Sequence, residues 1–137
     1  MKRRSFWRPS LADYFSQVQG RPFAWGSFDC ALFAAGAVEA MTGVDFAKGY
    51  RGAYTTLAGG LRLLRTEGFE THADFAAAHL TEIHPSKAQV GDIAAIAVSD
   101  AGLFALGVVQ GARIIFLRPE GGLGTTDLLQ AERAFRV

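Results

Sequence analysis

Apolar residues recur at helical spacing through the first half of the chain and in short continuous runs through the second. Cys30, Phe33, Ala34, Ala37, Val38 and Met41 fall at i, i+3, i+4, i+7, i+8 and i+11, the stripe of a helix with one buried face. Asp29 is placed to cap its start and Gly43 to close it. Leu11, Tyr14, Phe15 and Val18 predict an earlier helix, with Ser10 and Asp13 as a capping-box-like start and Gly20 and Pro22 as its stop. Leu57, Leu61 and Leu64 predict a third, weakened in its middle by Gly59 and Gly60, and residues 73–80 a short fourth.

After Pro85 the pattern changes to strands. Residues 93–98, 103–110 and 113–118 are β-rich runs, with turns at 99–102 and 111–112. A last strand at 134–137 follows the glycine-rich loop 121–124, which lacks the lysine of a phosphate loop. Helices followed by strands predict an α+β fold, with N-terminal helices packed on a small antiparallel sheet. The strands are nearly continuously apolar, so both sheet faces are expected to be covered.

Composition narrows the possibilities. A chain of 137 residues fits one domain, and eleven phenylalanines exclude a disordered one. One cysteine excludes an internal disulfide, and with only three histidines neither a structural zinc site nor another cofactor is expected. Without a run of roughly 18 apolar residues no membrane span is expected. No apolar segment follows the basic start, so no signal peptide is expected, and synthesis in a reducing cytoplasm is. Lys2, Arg3, Arg4 and Arg8 account for the positive net charge, leaving ten basic residues against thirteen acids. Residues 1–9 therefore read as a basic, aromatic arm, ahead of a single domain at 10–137. Trp7 and Arg8 are candidate partner contacts, because aromatics beside arginines are typical interface anchors. Removal of the arm is expected to leave the domain folded, and nucleic-acid binding is not expected.

The segment Pro22-Phe23-Ala24-Trp25-Gly26-Ser27-Phe28-Asp29-Cys30 carries the candidate chemistry. It puts the one cysteine on the first turn of a buried helix, where the dipole and free N–H groups favour a thiolate. The alternative is that Cys30 simply fills core volume, as free cysteines often do.

This segment resembles the nucleophile motif of NlpC-type cell-wall peptidases, an aromatic-rich Pro-Tyr-x-Trp-Gly stretch leading to Asp-Cys. Pro22, Phe23, Trp25, Gly26, Asp29 and Cys30 match it, with Phe23 in place of tyrosine, and Gly91-Asp92 matches the pair that opens the family's sheet. More closely, the chain is similar to short NlpC-like proteins of bacteriophage tail modules, in which an arginine-containing helix (here 54–67, with Arg62 and Arg65) follows a tyrosine turn. The resemblance implies a papain-like fold, Cys30 as the nucleophile position and Trp25 as core or groove wall. It also implies a virion protein of the phage tail, with other tail proteins as partners and peptidoglycan as a further candidate.

The departures bear on mechanism. The family's general-base histidine opens the strand matched by 105–111, where this chain has Ala105, and the orienting residue would fall among Ile115, Phe116 and Leu117. No base and no polar partner stand there. His72, His79 and His84 all precede the sheet, and His84 is the one considered able to approach Cys30 from another direction. The expectation is therefore a tail-tip or tail-assembly protein on a degenerate, non-catalytic peptidase fold. The alternative is an active cysteine peptidase or amidase that cuts peptidoglycan peptides during infection.

Overall fold

The helix that begins at Cys30 is the spine of the molecule. A computed structural model describes residues 1–98 and 103–137; the turn expected at 99–102 lies outside the described residues. The helices are α1 (Trp7–Val18), α2 (Cys30–Thr42), α3 (Leu57–Thr66) and α4 (His72–His79). The strands are β1 (Thr81–Ile83), β2 (Ile93–Ala97), β3 (Phe104–Gln110), β4 (Arg113–Leu117), β5 (Leu123–Asp127) and β6 (Ala131–Arg136). They form one antiparallel sheet in the order β1-β6-β2-β3-β4-β5, which gives the α+β architecture predicted from the order of the patterns.

The predicted stripe of α2 is buried from Phe33 to Met41, while Cys30 at its head is only half-buried. Phe33, Ala37 and Met41 pack with Ile93, Val108 and Phe135 of the sheet and with Leu11 and Val18 of α1. Each large side chain removed from water here contributes roughly 1.5–3 kcal/mol. A second cluster, Ala94, Val109 and Ile114, lies under Ala88, Leu128 and Ala131. The single 3-10 turns Pro85–Lys87 and Leu128–Gln130 stand at these coverings, so the sheet centre is shielded on both faces.

Two expectations change. First, α1 begins at Trp7 and takes in Ser10, which does not cap it. Pro9 is compatible with this because it stands in the first turn, where a missing N–H costs no helix bond. Second, the basic arm belongs to the fold. The Arg4 backbone N–H donates to Met41 O (2.7 Å). The Arg3 guanidinium donates to Val137 O (3.0 Å) and Val90 O (2.8 Å), and pairs with the buried Asp92 carboxylate at 2.9 Å. Trp7 packs against the core, with Arg3 and Arg8 guanidiniums 4.2 and 4.5 Å from its ring centre. Trp7, read as a partner contact, is thus spent on the domain itself, while Phe6 stays 76% exposed. The strands β1 and β5 were not expected; β5 replaces part of the glycine-rich loop, its Thr125 and Thr126 supplying β-branched residues.

Candidate functional site

Two helix N-termini converge on one place. Cys30 is the first residue of α2 and His72 the first residue of α4, and the Cys30 Sγ lies 3.9 Å from His72 Nε2. That distance is within reach for sulfur, and such pairs commonly tighten when substrate binds. The imidazole reaches the thiol from the helix ahead of the sheet. Ala105 lines the same cleft without offering a base, and Phe116 and Leu117 line it as apolar wall. His84 is elsewhere: it is exposed and bonded through Nδ1 to Ser86, capping the 3-10 turn that follows it. Of the three histidines, His72 supplies the partner that the sequence reading had sought at His84.

Local chemistry holds each member in place. Asp29 is fully buried, and its carboxylate accepts from the Leu32 N–H (3.0 Å), the Gly26 N–H (3.0 Å) and the Tyr54 hydroxyl (2.5 Å). It is the N-cap its position predicted, and it also ties the turn before α2 to residue 54. That turn closes through paired backbone bonds between Ala24 and Phe28. Gly26 has φ of +79°, and a Cβ there would fall 1.8 Å from the Tyr54 carbonyl oxygen, so glycine is required on both counts. Thr71 caps α4, and Asp74 in its first turn pairs with Arg133 at 2.9 Å. Arg133 also grips Glu82 through two bonds, which fixes α4 to β6 and β1. His72 is held by this frame at the first position of α4.

The electrostatics favour a neutral resting pair. Burial pushes the Cys30 thiol up to about 11, against the opposing pull of the backbone N–H groups of Leu106, Ala31 and Cys30 itself. Burial also holds His72 below the usual histidine range, with the Phe104 carbonyl and the charges of Asp29 and Asp74 opposing it. At pH 7 only about one thiol in ten thousand would be ionised at such a pKa. Ionisation of the thiol would have to come from proton transfer to His72, against both burial of the imidazole and the positive end of the α4 dipole.

A consequence for stability follows from the lowered His72 pKa. The folded state binds the proton less readily than the unfolded chain, whose histidine titrates near about 6.5. The stability it contributes is present above that pH and is lost as pH falls toward the folded value. His72→Gln is expected to flatten the loss of stability below about pH 6.5, read from urea unfolding midpoints; an unchanged acid slope would contradict a buried neutral His72.

The pair opens onto a cleft of about 280 Å³ walled by apolar side chains from Phe23 and Trp25 through α2, α3 and α4 to β3. Trp25, half-exposed, stacks edge-on against Phe23 with ring centres 4.9 Å apart and forms the mouth. Trp7 and Arg8 do not line it. Sequence reasoning found Cys30, Trp25 and Asp29 but missed His72 and Tyr54. The local signal for His72 was Thr71 with Asp74 three residues on, a helix-start pattern that places residue 72 at the same first-turn position as Cys30. Among the described residues no group of three or more metal-ligating side chains comes together, and no helix is long and apolar enough to cross a membrane. The model of a family described as "Domain of unknown function (DUF6950)" matches residues 2–137. No curated protein matches the chain.

Proposed function

We propose, for a chain that belongs to the DUF6950 family over residues 2–137, a cysteine-dependent acyl-transfer hydrolase in which Cys30 is the nucleophile and His72 its general base. The observation that carries this reading is the 3.9 Å approach of the two side chains on the lining of a cleft. His72 takes the thiol proton as the sulfur attacks a substrate carbonyl, then returns it to the leaving group. The backbone N–H groups of Leu106, Ala31 and Cys30 favour the sulfur's charged form as the proton leaves. A cysteine-headed helix packed on an antiparallel sheet, with the match at Pro22–Cys30, supports a papain-like arrangement whose base has moved from a strand to a helix.

The test is formation of an acyl-enzyme. Wild-type protein incubated with p-nitrophenyl acetate is expected to release a burst of nitrophenol and to gain one acetyl group on Cys30 by mass spectrometry, and Cys30→Ala to do neither. A second reading, a non-catalytic relic serving as a phage tail protein, draws support from the raised thiol. Equal behaviour of wild type and Cys30→Ala in that assay would favour it.

A further inference from the structure

The wall of the cleft carries more information than its mouth. No lysine or arginine lines it among the described residues. Its polar groups are few, and most are engaged: Asp29 by three donors, the Tyr54 hydroxyl by Asp29, the Tyr50 hydroxyl by Glu67, and His79 Nδ1 by the Phe75 carbonyl at 2.9 Å. Cys30 and His72, by contrast, stand 3.9 Å apart on the lining of the cleft. Away from them the cleft runs beneath α3, whose Leu57, Leu61 and Leu64 form the roof, and over Val38 of α2. Its volume is close to the lower end of small-ligand pockets, about 300–1,000 Å³. A cell-wall stem peptide is rich in carboxylates and amides, and this wall would desolvate them without a partner, at a large cost.

We propose that the cleft beneath α3 is an acyl-chain site, so that the substrate is a carboxylic ester of a medium-length apolar acid. This deepens the assignment of Cys30 and His72 and rests on it. The chain lies under Leu57 and Leu61 and brings the ester carbonyl to the sulfur. Sγ bonds to the carbonyl carbon, the carbon–oxygen bond to the alcohol breaks, and the alcohol leaves with the proton that His72 took from the thiol. Water then attacks the thioester, giving its proton to His72 and releasing the carboxylic acid. The proton passes back to the sulfur, and the thiol is restored.

The experiment separates the site from the pair. Wild-type kcat/KM is measured on p-nitrophenyl acetate, butyrate, octanoate and palmitate, and binding of 2-nonanone, a neutral eight-carbon acyl mimic, is followed by isothermal titration calorimetry in wild type and Cys30→Ser. Each buried methylene is worth about fourfold, so octanoate is expected to exceed acetate by at least about a hundredfold, with palmitate falling away for want of room. Leu61→Trp is expected to lower the octanoate-to-acetate ratio at least about tenfold and to abolish 2-nonanone binding. Cys30-dependent turnover that is flat across chain length overturns the acyl site and leaves the nucleophile assignment standing. Saturable, Leu61-sensitive binding of 2-nonanone without turnover of any ester supports the acyl site and overturns the hydrolase. Failure of both turnover and binding overturns both.

Discussion

Replacing His72 by alanine is expected to lower kcat/KM for p-nitrophenyl octanoate by about 10²–10⁴-fold, the usual contribution of a positioned general base. The effect should be large because the Cys30 thiol is held at about 11 and supplies almost no thiolate of its own near neutrality. A purely structural role for His72 would predict something different. The side chain occupies the first position of α4, and Thr71 and the Asp74–Arg133 pair would hold that helix without it. His72→Ala should therefore fold, and added imidazole should restore part of the rate by entering the vacated space. Cys30 alkylation by iodoacetamide supplies a second readout. In wild type it should be slower at pH 7 than for a free thiol and should climb as pH rises toward about 11. Loss of activity with no imidazole rescue would argue against His72 as the base.

Arg3→Ala is expected to cost about 3 kcal/mol of stability, at the low end of what breaking a buried ion pair costs. Asp92 is 1% exposed, and without Arg3 its carboxylate keeps only the Gln89 and Val137 N–H donors. The same substitution removes the bonds from the guanidinium to the Val90 and Val137 carbonyls and one of the two guanidiniums beside Trp7. Deletion of residues 1–8 should be worse, since it also takes Trp7 and the Arg4 bond to the end of α2. Urea denaturation checks both, and a truncated chain as stable as the full one would show the arm to be dispensable.

What the sequence made legible was set by the range of the interactions involved. The stripe from Phe33 to Met41 and the cap at Asp29 are local, and both appear as predicted. Strands β2, β3 and β4 were found because their apolar runs are continuous, whereas β1 has only three residues, two of them exposed, and β5 carries a glycine. The arm was misread because its charge looks like solvated surface until Asp92, 89 residues away, is brought beside Arg3. His72 was passed over for a related reason. The place of a base was sought on the strand where a resembling family keeps it, and proximity to Cys30 arises only from the packing of α4 on the sheet.

The strand order bears on how the chain is made. Residues 81–83 have no partner in the sheet except 131–136, and the same late strand flanks β2. A ribosome that has delivered everything through β5 has released a β2-β3-β4-β5 meander with one central edge bare and β1 unattached. Pairings this distant close slowly, and an uncovered edge in that interval invites association with another nascent chain. Expression at lower temperature or with chaperone capacity to spare should therefore raise the soluble yield more than any stabilisation of the helices would.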